Sequence, residues 1–496
     1  MSMTFALRTP LVLLVAAIFL WGQGTVRGDE PKTDEQNVAS TIEMSVAAAG
    51  EPRPALKYRL MPTISERKAG NAAPHYYRAI ILQRQTTPEY RQEYVDKQVA
   101  WTEGPDDKFP KQEVAKWLVG QAAVIAELKK AAYKEECDWG FRYQDLRGPE
   151  LYTILIPEIQ ACRDLARTLR LQARYEIVEG RYDDALETLR MGYQLAHDTA
   201  KSGLIVSGLV GVAITGVMNN ELEHLIQRSG ENYYWAIASL PQPVADIRSS
   251  LQLEMSAPFL VFPFLKDAET AVRSPEEWRQ QIVRALTDLG DLGGPMQYRG
   301  WEGELAATAL MTALYPAAKA ELIAGGMARE KVEAMPVGQV VAVHTARATE
   351  ATYHEIFKHT LLPYGEAMKR LPEVMKRLEK DTIGPGVRMS GRIGLPVANL
   401  FLPAIGAVMQ AEVRGTRNLA AYQAIEALRM HAAQHGTLPA TLAEVSVVPV
   451  PLNPATGQAF PYQFDAASGK ATLEVPATEQ RLNRQEGRRY VIRLRK

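Results

Sequence analysis

The chain has little cysteine and histidine and no net charge, and these shortages limit what it can do. Two of its 496 residues are cysteine and eight are histidine. Two cysteines cannot complete a tetrahedral metal site without histidine, and no histidine is near either one in sequence. Lysine plus arginine equals aspartate plus glutamate at 57 each, so the whole chain has no electrostatic attraction for nucleic acid. We expect no nucleic-acid partner.

Motifs that carry catalysis or bind phosphate are also missing. The sequence has no Gly-x-Ser-x-Gly nucleophile turn, no Walker-type phosphate loop and no dinucleotide fingerprint. Ser202-Gly203 lies at a predicted helix start, not after a strand. Cys137 is next to Asp138, whose charge raises a thiol pKa, which is typical of a structural cysteine. The sequence therefore predicts no catalytic residue, cofactor or metal ligand.

The string His354-Glu355-Ile356-Phe357-Lys358-His359 comes nearest to a metal motif. A zinc-protease helix needs histidines at i and i+4, so that both imidazoles lie on one face. Here the spacing is i+5, and two such side chains point about 140° apart on a helix of about 3.6 residues per turn. Glu350 and His354, four apart, are typical of a helix-surface pair.

The N-terminus has the three regions of a secretory signal. Arg8 precedes an apolar run over 11–22, and small residues suit cleavage after Gly28. The run is short for a membrane span, so we predict export with cleavage near Gly28 in preference to an uncleaved anchor. In an oxidising compartment Cys137 and Cys162 form a disulfide or stay buried thiols, and the sequence leaves both alternatives open.

Most of the remaining chain has helical periodicity. The alternation at Leu56, Tyr58 and Leu60 predicts one half-buried strand first. An apolar stripe then predicts a helix that stops at Gly140; the stripe comprises Val114, Trp117, Leu118, Ile125, Leu128 and Ala132.

Residues 165–200 form the clearest unit, a helical hairpin broken at Glu179-Gly180-Arg181. Its pattern resembles one tetratricopeptide repeat through Ala173, Gly180, Tyr182, Ala185 and Leu189. No second copy follows at the expected period, and Gln172 and Glu176 replace apolar positions. Because one hairpin makes no peptide groove, we interpret it as scaffold.

Small residues recur every four positions at Gly203, Ser207, Gly211 and Thr215. They predict a helix that a neighbour approaches closely, in a protein core more than in a membrane. Ser274-Pro275-Glu276-Glu277 predicts a capping box that opens a helix with Trp278, Ile282 and Leu286. Glycine and proline at 290–295 and 383–396 mark loops or hinges.

The last hundred residues change to strand patterns. A long helix through Ala420, Ile425 and Leu428 ends at His435-Gly436, and the strands FPYQF and KATLEV follow, joined by DAASG. A third strand, RRYVIRLRK, alternates apolar and basic residues. The basic cluster is typical of a solvated strand face, and an anionic envelope polymer or lipid headgroup is the alternative partner; it comprises Arg481, Arg484, Arg488, Arg489, Arg493, Arg495 and Lys496.

Two resemblances to known proteins follow from these segments. Residues 418–475 resemble the C-terminal region of type II secretion pseudopilins, but the order of elements differs, so this implies no pilus function. More widely, ALKYRLMP, GNAAPHYYRA, CDWG, EGRYDDALETLRMGYQLA, GLVGVAI, YYWAIASLPQP and EAMPVGQVV resemble segments of a family of exported helical proteins of planctomycete type. That resemblance implies export and helical architecture and supplies no site.

The sequence thus predicts a mostly α protein of packed helical hairpins, α-α superhelix-like, with a small C-terminal antiparallel sheet. We expect a signal peptide at 1–28, a helical domain at 29–230, a second helical module at 231–385 and a long helix plus sheet at 386–496. The preferred function is an exported, periplasmic or extracellular scaffold or binding protein without enzymatic activity, with no membrane span after signal removal. Its partner is a protein or envelope polymer. The alternative is an envelope hydrolase using His344, His354 and Glu355.

Overall fold

The computed structural model describes residues 40–85, 88–145, 157–291, 300–380, 402–477 and 487–495. Within those ranges, a large unit comprises residues 40–140, 157–250 and 408–495, and a small unit comprises residues 141–145, 251–380 and 402–407. The signal segment and the loop at 383–396 lie outside the described residues, as do 292–295. The module bounds at 230 and 385 stay predictions.

The protein is mostly helical with a small sheet, as the sequence predicts. The helices are, in chain order, α1 Ala73–Arg84, α2 Pro88–Glu103, α3 Lys111–Ala132, α4 Pro157–Val178, α5 Tyr182–Ala200, α6 Ile205–Arg228, α7 Tyr234–Ala238, α8 Arg248–Val261, α9 Pro263–Lys266, α10 Pro275–Asp291, α11 Gly300–Ala324, α12 Arg329–Ala334, α13 Val337–Thr360, α14 Tyr364–Lys380 and α15 Leu402–His435. The strands are β1 Ser40–Val46, β2 Lys68–Asn71, β3 Lys134–Glu136, β4 Tyr462–Asp465, β5 Lys470–Val475 and β6 Arg488–Leu494.

The terminal sheet of the large unit has the order β1-β6-β5-β4. The predicted strands β4, β5 and β6 are antiparallel, and the β4–β5 turn closes through a hydrogen bond from Gly469 N to Asp465 O of 2.8 Å. Tyr490 and Ile492 are buried, whereas Arg489 and Arg493 are exposed, as their alternation predicts. The sequence did not predict β1, which adds a parallel edge to β6.

The strand predicted at residues 56–60 is wrong. Tyr58 and Leu60 are buried, but Leu56 is 50% exposed, so one face is not continuously covered. Lys57 N donates to Pro54 O at 2.9 Å, which closes a turn. Because prolines flank this segment and no strand pairs with it, apolar alternation alone does not make it a strand.

Helix α3 buries the predicted stripe at Val114, Leu118 and Leu128. Its predicted end at Gly140 is wrong, because α3 stops at Ala132 and the chain becomes β3. Parallel pairing of β3 with β2 replaces the helical hydrogen bonds: Lys68 N donates to Tyr133 O at 2.7 Å, and Ala72 N donates to Glu136 O at 2.7 Å.

Helices α4, α5 and α6 pack on one another and form the core of the large unit. The predicted hairpin is α4–α5, which buries Ala173, Ala185 and Leu189 of the predicted pattern and leaves Tyr182 half-buried. Its likeness to a tetratricopeptide repeat stays a prediction.

Helix α6 carries the predicted ridge of small residues. A Cβ at Gly211 would lie 2.7 Å from Ala196 O and 2.9 Å from Ala200 Cβ, so only glycine lets α5 approach this closely. Helix α6 is long and apolar enough to cross a membrane, and 67% of its most apolar 18-residue window is buried inside the protein. This burial pattern is typical of a core helix, and α6 is packed in the core of the large unit.

In the small unit, α13 packs against α9, α10, α11 and α14. The predicted capping box is confirmed: Ser274 N donates to Glu277 Oε2 at 2.6 Å, and Glu277 N donates to Ser274 Oγ at 3.2 Å. The helix that it opens, α10, buries Trp278, Ile282 and Leu286. These contacts fix α10 against the helix that carries His344 and His354.

Candidate functional site

A cleft of about 1040 Å³ in the large unit lies beside the turn between α4 and α5. We call it the turn cleft. It is lined by Asp106, Asp107, Phe109, Pro110, Lys111, Gln112, Glu113, Ile177, Val178, Glu179, Gly180, Tyr182 and Arg228. The lining contains charges of both signs and apolar side chains but no serine, cysteine or histidine. That set can bind a ligand and lacks the usual nucleophile and imidazole base.

Local sequence chemistry shapes the wall of the turn cleft. Gly180 has φ +74°, a left-handed conformation that glycine adopts at low cost. Gly180 N donates to Ile177 O at 3.0 Å and Arg181 N donates to Glu176 O at 2.8 Å. These two bonds are a Schellman ending, which satisfies carbonyls of the last turn of α4. The wall is therefore a closed helix end with a defined shape.

A buried ion cluster supports the cleft from below. Glu221 is 0% exposed and accepts hydrogen bonds from Arg174 Nε at 2.7 Å and Arg174 Nη2 at 3.0 Å. Arg170 Nε donates to the same carboxylate at 3.0 Å. A bidentate Arg–carboxylate interaction fixes both side chains, so it holds α4 and α6 in a defined position relative to each other beneath the cleft.

Asp106 joins this buried cluster to the cleft. Arg228 donates to Asp106 Oδ2 from Nη2 at 2.7 Å and from Nε at 3.0 Å. Arg174 Nη1 lies 3.6 Å from Asp106 Oδ1, and within the described part of the chain neither of those two atoms makes a hydrogen bond. Burial, and next the Arg174 charge, lower the pKa of His224. Asp106 therefore connects Arg228 at the cleft to the buried Arg174.

The rim of the cleft carries exposed charges. Lys111 Nζ lies 2.8 Å from Glu179 Oε1 and donates to Val178 O at 3.3 Å. Glu113 lies 3.6 Å from Lys97, and Asp107 is exposed. Such exposed pairs are worth less than about 1 kcal/mol each, so an incoming charged segment can exchange with them at little cost.

A second cavity, of about 720 Å³, lies in the small unit beside α13. We call it the α13 cavity. Its lining is Gln252, Met255, Ser256, Phe259, Leu260, Leu265, Lys266, Ala268, Glu269, Val343, Ala346, Arg347, Glu350, Tyr353, His354 and Phe357. Arg347 Nη2 donates to Glu269 Oε2 at 2.9 Å, so two of its charges are paired with each other.

The residues of the hydrolase alternative do not meet at this cavity. His354 lines it, but His344 is buried and its Nε2 lies 2.8 Å from Glu321 Oε2. Glu355 accepts from Lys358 Nζ at 2.7 Å. His344 and His354 are ten residues apart on α13, a rise of about 15 Å, so they do not act on one reacting atom.

The string around His354 and His359 behaves as its spacing predicts. His354 is exposed and His359 is 8% exposed, so the two imidazoles lie on different sides of α13. Among the residues that the structure describes, no group of three or more histidine, cysteine, aspartate or glutamate side chains is placed to hold a metal ion.

Cys137 and Cys162 are free thiols in the structure. Burial, as the largest cause, raises the pKa of both, that of Cys162 to about 12, which leaves almost no thiolate at neutral pH. Nearby, Asp198 accepts from Tyr76 Oη at 2.8 Å and from Gln194 Nε2 at 2.8 Å, and burial raises its pKa to about 6. The two thiols are therefore structural in this arrangement.

The basic C-terminal cluster divides between the interior and the surface. Arg488 Nη1 lies 3.1 Å from Glu223 Oε2, next to the buried Tyr422 and Tyr490. Arg489 pairs with Glu474 on the exposed face. Part of the cluster, at residues 481, 484 and 496, lies outside the described residues. Arg488 is thus a half-buried cation on the face of β6 that carries Tyr490 and Ile492, as the alternation places it, and its assignment to a solvated strand face is wrong.

The residues that organise the turn cleft were not predicted from the sequence. Glu221 lies in a helix whose sequence is mostly apolar, and its partners Arg170 and Arg174 are about 50 residues away along the chain. The one available signal was the spacing of Arg170 and Arg174, which places two cations on one face of α4.

No protein-family model, curated protein or solved structure matches the chain.

Proposed function

We propose that the chain is an exported helical binding protein of the cell envelope, and that the turn cleft binds a segment of a partner protein. The single observation that carries this proposal is the cleft itself, with charges of both signs around Phe109 and Tyr182. A peptide with alternating charged and apolar side chains meets each of these features.

The lining favours binding over catalysis. It contains no serine, cysteine or histidine, and three of its four carboxylates, those of Asp106, Glu113 and Glu179, are paired with cations. A groove of fixed shape lowers the entropic cost of binding, because the protein side does not have to be ordered. The buried Arg174–Glu221 pair and the Schellman ending at Gly180 supply that fixed shape.

Site-specific photo-crosslinking tests the proposal in the native envelope. A photoreactive residue at Gln112, which lines the cleft, is compared with one at Val119, which is 77% exposed on the same helix but does not line it. We expect a discrete crosslinked protein from position 112 alone, and loss of that product in a Tyr182→Ala background. Equal products from both positions, or none from either, would contradict the proposal.

Export has its own test. The apolar run over 11–22 and the small residues before Asp29 favour cleavage after Gly28. Intact mass and N-terminal sequencing of protein from the envelope fraction are expected to give a chain that starts near Asp29. Recovery of chains that retain Met1 would contradict export by a cleaved signal.

An envelope hydrolase remains the second candidate, because His354 lines the α13 cavity together with Glu350 and Tyr353. A general base of this kind needs a reachable substrate proton, and a cavity of that size admits a small ester or peptide. Chromogenic ester, peptide and glycoside substrates are assayed with the native protein and with His354→Ala. Turnover that disappears in the variant would support the hydrolase, and absence of turnover would count against it.

A further inference from the structure

The end of α15 brings two histidines face to face. His431 and His435 are four residues apart in the helix, and their ring centroids lie 4.2 Å apart with 33° between the ring planes. This is the i, i+4 spacing at which two imidazoles share one helix face. The pair at 354 and 359 lacks that spacing.

The surrounding backbone fixes His431. Gly436, with φ +75°, ends the helix just after His435, and Gly436 N donates to Ala432 O at 2.8 Å. The chain then returns through the short helix Leu442–Glu444, whose last residue lies near the His431 ring. His431 is only 6% exposed as a result.

One nitrogen of His431 is left for another ligand. Its Nδ1 is buried and makes no hydrogen bond with the described part of the chain. A buried ring with an unbonded nitrogen, 4.2 Å from a second, exposed imidazole, offers two nitrogen ligands from one helix face.

The favourable interaction of a positive charge with a helix C-terminus does not explain why two imidazoles lie next to each other here. A protonated histidine is favourable at a helix C-terminus, but two protonated rings 4.2 Å apart repel each other. Neutral imidazole is the form that binds transition metals.

We propose that His431 and His435 form a two-imidazole site for a divalent transition-metal ion, with Cu²⁺ bound more tightly than Ni²⁺ or Zn²⁺. Imidazole suits these ions, and their affinities rise toward copper. No third histidine, cysteine or carboxylate joins the pair among the described residues, so water completes the coordination. Exposed His435 rotates to admit the ion, while His431 keeps its buried position.

The test uses the chain purified without a histidine tag and stripped of metal with a chelator. Titration with Cu²⁺, followed by calorimetry and by electron paramagnetic resonance, is expected to show one ion per chain with nitrogen hyperfine structure from two imidazoles. Mg²⁺, which prefers oxygen ligands, is expected not to bind at this site.

His435→Ala removes the exposed ligand without opening the core. It is expected to lower the affinity for Cu²⁺ by at least roughly 10- to 100-fold, the loss that follows when a metal ligand loses its hydrogen-bond partner. His354→Ala, the matched control, removes an exposed imidazole elsewhere and is expected to leave the affinity unchanged. Absence of Cu²⁺ binding, or binding and hyperfine structure that persist in His435→Ala, would overturn the proposal.

Discussion

Substitution of Glu412 tests how strongly burial in this fold raises the pKa of a carboxyl group. Its Oε1 accepts the backbone N–H of Ile247 at 3.0 Å, and burial raises its pKa to about 7, with the charge of Asp246 adding to the rise. The nearest cation, Arg248, is already engaged with Asp246 at 2.7 Å. Among the residues that the structure describes, the carboxylate therefore has no dedicated positive partner.

The sign of the effect follows from proton binding. Between the ordinary carboxyl pKa of 4.5 and about 7, the folded state holds a proton at Glu412 that the unfolded state releases. The free energy of unfolding therefore falls as pH rises through this window. The shift corresponds to an upper limit of about 3 kcal/mol, and because the side chain is not fully buried we expect about 2 kcal/mol.

Glu412→Gln retains an oxygen for Ile247 N–H and cannot ionise. We expect it to raise the free energy of unfolding by about 2 kcal/mol more at pH 8 than at pH 5, measured by urea unfolding followed by circular dichroism. The control Glu474→Gln removes an exposed pair with Arg489 and is expected to change stability by less than about 1 kcal/mol at both pH values. A gain that does not vary with pH would refute a raised pKa at Glu412.

Other predictions concern packing, the buried ion pair and the thiols. Gly211→Ala is expected to destabilise the protein by about 1–3 kcal/mol, because its Cβ would lie 2.7 Å from Ala196 O, whereas Gly216→Ala, with nothing within 4 Å, is expected to be neutral or stabilising in thermal unfolding. Glu221→Gln is expected to cost several kcal/mol, roughly 3–5, by leaving Arg174 buried without its counter-charge; equal stability of variant and parent in urea would contradict the role of the pair. Protein from the oxidising compartment, denatured without reductant, is expected to give two reactive thiols per chain, and none would show a disulfide in place of the two free cysteines.

The sequence predicted elements whose determinants are local. The α4–α5 hairpin follows from apolar spacing and from Gly180, and the start of α10 follows from Ser274 and Glu277, three residues apart. The β4–β5 turn likewise needs only Asp465 and Gly469. In each case the residues that stabilise the element are within one or two turns of one another.

Elements fixed by distant partners were not predicted. β1 alternates Ile42, Met44 and Val46 with polar residues, a strand signal that went unused, and its partner β6 lies more than 400 residues away. The opposite error at residues 56–60 arose because alternation was present but no partner strand was. Glu221 and Glu412 were missed for the same reason, since an acidic residue in a helix is usually solvated and only the packed neighbours make it buried.

The pairing of β1 with β6 has a consequence for the order in which the protein is made. β6 lies between β1 and β5, so the sheet lacks an inner strand until residues 488–494 have been synthesised. When the ribosome has completed residue 480, strands β1 and β5 of the nascent chain both have unpaired edges. Unpaired strand edges are templates for aggregation. We infer that the large unit completes its folding only after synthesis, and that a chain shortened by its last nine residues exposes two strand edges instead of losing a dispensable tail.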